Sequence, residues 1–187
     1  NELRDEAYSI AKANGWHEEE HSDEHWIMLV ITEIAEAVQA DRKDKHADVA
    51  SFKEYQTYYG SFLPSEETLE IRFREDFEAY IKNSVEDELS DVVIRCLDLA
   101  GLRSISLCSV VTTDHEFKDY WANMPFFKFA YDSCCFLIND CAEDAVKTTI
   151  SSVYRYCRHH SIDLDFFIRT KMEYNRLRGY HHGGKRY

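Results

Sequence analysis

Between residues 23 and 43 the stretch DEHWIMLVITEIAEAVQADRK sets Trp26, Leu29, Val30, Ala37 and Ala40 on one face at helical spacing. Ser22 precedes it as an N-cap, and Asp23 and Glu24 fill the first turn, where acids suit the helix dipole. A second long period runs over 85–103 (VEDELSDVVIRCLDLAGLR), capped by Ser84, with apolar residues on most of its circumference. Shorter helices are predicted over 2–14, ended by Gly15, over about 66–83 after Ser65, and over 163–178 after Ser161 or Asp163. Residues 126–160 read as one or two helices behind Pro125. Residues 44–64, polar and Tyr-rich with Gly60 and Pro64, read as a loop; 104–125 are mixed, and the tail from Gly179 reads as irregular. With 6 Gly and 2 Pro in 187 residues, the expected class is an all-α helical bundle in one domain, 1–187.

Two carboxylate pairs interrupt these apolar faces. Glu33 falls in the middle of the first face, and Glu36 lies on its edge. Glu88 and Asp91, with Arg95 and Asp98, fill the narrow polar strip of the second helix. Residues three apart on a helix point the same way, and a carboxylate on an apolar face needs a compensating cation or hydrogen bonds. Facing each other, the pairs would converge as an oxygen-only site. Such a site suits Mg²⁺, or Mn²⁺, rather than Zn²⁺, and a magnesium ion commonly bridges to phosphates. The alternative is that each pair is a solvated helix face, which periodicity alone does not exclude.

Charge and cysteine content narrow the partners. A formal net charge of −13 argues against general nucleic-acid binding and against an anionic membrane surface. No apolar run reaches the length of a membrane span. Six cysteines occur without any C-x-x-C pair, most within apolar runs, so buried reduced thiols in a cytoplasmic protein are expected. Residues 86–107 and 143–164 echo each other at an offset of 57, but Thr148 stands where the first copy has Asp91.

ITEIAEAVQADRK and VEDELSDVVIRCLDLAG resemble the E-x-x-E and E-x-x-D helices of the MazG-like, all-α nucleoside triphosphate pyrophosphohydrolase superfamily. KMEYNRLRGYHHGGK resembles that family's K-x-x-x-N-x-x-R stretch, and the spacing from His21 to Glu33 resembles the dCTP pyrophosphatase branch. The three motifs occur in the family's order and cover about half of the chain, 16–43, 85–103 and 162–185. The resemblance implies that Glu33, Glu36, Glu88 and Asp91 bind Mg²⁺ and form the catalytic centre. It implies that Lys171, Asn175 and Arg178 reach the triphosphate, and that His21 and Trp26 lie near the nucleotide. It further implies cleavage of a (deoxy)nucleoside triphosphate to monophosphate and pyrophosphate, a housecleaning role in the nucleotide pool, and assembly as a homodimer or homotetramer.

Two departures stand out. Thr32 occupies a position where many members carry an additional Glu, and residues of about 104–160 form an insertion longer than the usual connection. That insertion would add core, complete a dimer-like bundle within one chain, or cover the nucleotide. His17, His21 and His25, four apart, would form a transition-metal stripe only if all three were helical; solvated or nucleotide-facing histidines are expected instead. Gly183-Gly184-Lys185 reads as a phosphate-wrapping turn or a plain tail, with His181 and His182 exposed. The aromatic run Tyr120, Trp121, Phe126, Phe127, Phe129 and Tyr131 reads as core. A di-iron carboxylate bundle calls for two Glu-x-x-His motifs, and only Glu18–His21 fits, ahead of the helix. A non-catalytic interaction bundle that retains the fold is the remaining alternative.

Overall fold

The computed structural model describes residues 1–62, 65–110 and 118–180. Its helices are α1 (Glu2–Ala13), α2 (Asp23–Asp41), α3 (Val49–Phe62), α4 (Glu66–Tyr80), α5 (Val85–Leu102), α6 (Lys118–Ala122), α7 (Phe126–Asn139), α8 (Ala142–His159) and α9 (Leu164–Arg176). No strand occurs among the described residues, and the architecture is an all-α helical bundle. No described helix is long and apolar enough to cross a membrane.

α5 is the axis of the bundle because its apolar residues leave almost no free face. Leu89, Val92, Val93, Cys96, Leu99 and Ala100 are all buried, and α1, α2, α8 and α9 pack around them. The helix starts where the sequence signals it: Ser84 is extended and its Oγ accepts the Asp87 N–H at 3.1 Å. Just before it, Asn83 turns the chain with φ 58°, a left-handed conformation that asparagine tolerates. α9 starts the same way, with Asp163 accepting from the Phe166 N–H. α2 lays Trp26, Val30, Ile34, Ala37 and Ala40 into the core, so Glu33 is carried into it by register.

Residues 49–62 form α3 rather than the expected loop. Its inward face, Val49, Phe52, Gln56 and Tyr59, carries few apolar residues, and tertiary packing holds it. Phe52 joins Phe77, Ile81, Phe167 and Tyr174 in a small second core between α3, α4 and α9, and Tyr55 stacks on Tyr80. The insertion adds core: α7 and α8 contribute Phe129, Leu137, Val146, Ile150 and Val153 to the main cluster, packing on α2 and α5. The echo becomes physical here. α5 and α8 are both 18 residues long and lie against each other, with Ala145 and Thr148 at the α8 positions that correspond to Glu88 and Asp91.

Two expectations about side chains need correcting. Cys96 and Cys157 are buried, but Cys108 and Cys141 are exposed, because they lie in connections rather than on packed faces; all six thiols are free. Of the aromatic run, Phe126 and Phe129 are core, whereas Tyr120, Phe127 and Tyr131 face outward. The tail residues His181, His182 and Gly183-Gly184-Lys185 lie outside the described residues.

The α1–α5 contact is close enough to test. A Cβ placed on Gly101 would sit 2.5 Å from Tyr8 Cβ, so the two helices approach through the missing side chain. Gly101→Ala is expected to lower the unfolding free energy by about 1–3 kcal/mol through overpacking. Urea denaturation measures it, and an unchanged midpoint would mean that this approach is loose.

Candidate metal centre

α2 and α5 bring three carboxylates together. Glu33, Glu88 and Asp91 each offer an oxygen, and these three oxygens lie within 4.8 Å of one another. The acids are held against the core by the same register that buries Val30, Ile34, Leu89 and Val92. Glu36, one turn beyond Glu33, is exposed, but it lines the same cavity of about 310 Å³. That volume is at the lower end of the range for small-molecule sites, about 300–1,000 Å³.

Electrostatically the triad is strained when no cation is present. Burial, then the charge of Asp91, pushes the Glu33 carboxyl up to about 7, although the half-buried Arg95 donates to it from Nε at 3.0 Å. Burial, then Asp91 and Asp87, pushes Glu88 up to about 8. Like charges in a low-dielectric setting disfavour ionisation. The donor set is all carboxylate, with no His or Cys among the described residues of the cluster, which fits a hard divalent ion.

The remaining predicted residues distribute unevenly. Asn175 and Arg178 line the cavity; the Asn175 carbonyl accepts from Asn14 Nδ2, and the Arg178 guanidinium lies over the Tyr174 ring. Lys171 also lines it, but its ammonium is turned inward. Nζ is 2.8 Å from Asp87 Oδ1 and 2.6 Å from Asp91 Oδ2, and the side chain is almost wholly buried. This differs from the expectation that Lys171 reaches out to a ligand. Burial works against its charge, yet Asp91 and Asp87 together hold its pKa above the ordinary lysine value.

His21 and Trp26 do not line this cavity. Trp26 belongs to the apolar face of α2 and is 5 % exposed, with the rings of His17, His21 and His25 packed around it. His21 stacks on His25 with ring centroids 4.1 Å apart. The histidine stripe is broken because His17 is committed elsewhere: its Nε2 lies 2.7 Å from Asp98 Oδ1, with both side chains buried. His17 is therefore not solvated. Thr32, the departure from the family pattern, lines the cavity and bonds back to the Met28 carbonyl.

Three residues that the sequence did not single out, Asp87, Lys82 and Asn83, also contribute. Asp87 is four residues before Asp91 and shares its face, which was a readable signal. Arg95, expected on that polar strip, follows Asp91 by the same interval and reaches Glu33. Lys82 and Asn83 enter the cavity from the α4–α5 turn, which no periodicity marks. No protein-family model, curated protein or solved structure matches this chain.

Proposed function

We propose that the protein is a magnesium-dependent nucleoside triphosphate pyrophosphohydrolase. The observation that supports this most is the convergence of Glu33, Glu88 and Asp91 in a cavity that Arg178, Lys82, Asn83 and Asn175 also line. Carboxylates for a divalent ion beside cationic and amide donors are the combination that a polyphosphate requires. Glu33, Glu88 and Asp91 would hold the ion, with Glu36 at the cavity edge. When bound, Mg²⁺, or Mn²⁺, supplies charge neutralisation on the polyphosphate and activates water.

The chain's own residues then have distinct tasks. Arg178 forks onto phosphate oxygens, and Asn83 and Asn175 donate to them. Water attacks the α-phosphorus, the bond from that phosphorus to the bridging oxygen breaks, and monophosphate and pyrophosphate leave. Glu33 or Glu36 accepts the proton of the attacking water. Charge developing on the pyrophosphate is met by Arg178 and Lys82. A cytoplasmic housecleaning role in nucleotide pools, and a homodimer or homotetramer, belong to the same proposal.

The experiment is pyrophosphate release from a panel of dNTPs and NTPs, with Mg²⁺ and with EDTA. Release from at least one nucleotide, lost in EDTA, is expected. No release, together with no magnesium-dependent nucleotide binding by calorimetry, would favour a non-catalytic bundle. A di-iron centre is disfavoured by the absence of histidine from the described cluster.

A further inference from the structure

We propose that Lys171 and Asp87 are positioning residues, a buried Asp87–Lys171–Asp91 chain that aims the Asp91 carboxylate at the cation. The proposal rests on reading the acidic cluster as a divalent-cation site. It assigns Lys171 to the carboxylates and not to the phosphates of a substrate.

The geometry of Lys171 supports this. Its ammonium sits between two carboxylate oxygens at 2.8 and 2.6 Å, over the face of Phe77 at 5.4 Å from the ring centroid. Only 6 % of the residue is exposed. A lysine that serves a phosphate keeps its head free as a mobile point charge; here the head is fixed by charge-assisted bonds on two sides. With Oδ2 of Asp91 committed to Lys171, the other oxygen remains for a metal. Hydrogen-bonded partners that orient a ligand carboxylate tune metal affinity in this way.

Asp87 anchors the far end. It is 1 % exposed, and its Oδ2 accepts the Asn83 N–H at 2.8 Å, while its own N–H is held by Ser84 Oγ. The chain therefore runs from the capped N-terminus of α5, through α9, back to Asp91 one turn further along α5. A shift of Lys171 would release Asp91, and no other cation pairs with it among the described residues.

Magnesium affinity of the full chain, read by isothermal titration, separates the possibilities. Lys171→Met is expected to weaken Mg²⁺ binding by about 10- to 100-fold. The double variant Asp87→Asn, Lys171→Met removes the orphaned carboxylate along with the lysine. It is expected to melt closer to wild type yet bind Mg²⁺ as weakly as Lys171→Met, so it reads out even if the single variant does not fold. At saturating Mg²⁺ the KM for the nucleotide should stay within about twofold. Unchanged Mg²⁺ affinity in the folded double variant, with KM raised at saturating Mg²⁺, would overturn the proposal and return Lys171 to the phosphates. Unchanged Mg²⁺ affinity in Asp91→Asn would instead overturn the cation site itself.

Discussion

Replacing Glu88 by Gln is expected to abolish detectable magnesium binding and to cut magnesium-dependent pyrophosphate release by at least about 10³-fold. Several kcal/mol of charge stabilisation depend on the ion, and each ~1.4 kcal/mol is a factor of ten in rate. Glu88 is the most deeply placed of the three acids, 3 % exposed and faced by Asp91, Asp87 and Glu36. The amide is isosteric with a protonated carboxyl but carries no negative charge. The fold should survive, because at pH 7 the Glu88 carboxyl, raised to about 8, is already mostly protonated without metal. Calorimetry and a pyrophosphate assay check both halves. Asp91→Asn should behave similarly, whereas Glu36→Gln, exposed at the cavity edge, should lose less. Full activity in both Glu36→Gln and Asp91→Asn would refute the assignment.

Metal-free stability is expected to fall as pH rises from 5 to 9, and Mg²⁺ to reverse the fall. Glu33 and Glu88 have folded-state pKa values near 7 and 8, both above the ordinary glutamate value of 4.5. A carboxyl with a raised folded pKa contributes stability that is fully present below about 4.5 and lost as pH passes through 7 and 8. The unfolded chain gives up its protons first, so deprotonation favours unfolding across this window. Magnesium binds the deprotonated acids, so its stabilisation should be small at pH 5.5 and large at pH 8.5. The difference in Tm with and without 5 mM Mg²⁺ is expected to grow by more than about 5 °C between these pH values. Glu88→Gln should flatten both the pH dependence and the magnesium response. A metal-free Tm that rises steadily from pH 5 to 9 would mean that the acids are not buried together.

Much of this centre was legible because it depends on local spacing. The Ser84 cap, Ser22 ahead of the acidic first turn of α2, the carboxylates three apart and the apolar faces around them mark where α2 and α5 start and which residues share a side. Those signals cannot say what a long side chain does once it is buried. Lys171 looks like a ligand for phosphate in one dimension, and only the packing of α9 against α5 turns it onto Asp87 and Asp91. The resemblance implies that Trp26 lies near the nucleotide, although its place on the apolar face of α2 is itself a core signal. His17 pairs with Asp98, a partner 81 residues away that sequence spacing could not supply. α3 was missed because its inward face, Val49, Phe52, Gln56 and Tyr59, is at helical spacing but largely polar and aromatic, and is held by packing of Phe52 and by Gln56 donating to Asp76. The insertion was open among three roles, and the buried faces of α7 and α8 favour added core: no described residue of either lines the acidic cavity.

The most direct test is to incubate the protein with Mg²⁺ and each dNTP in ¹⁸O-labelled water and to follow the products by ³¹P NMR. Nucleoside monophosphate and pyrophosphate are expected from at least one substrate, with the label on the monophosphate. Nucleoside diphosphate and inorganic phosphate, or label on the pyrophosphate, would contradict attack at the α-phosphorus, and no turnover of any triphosphate would contradict the enzyme altogether.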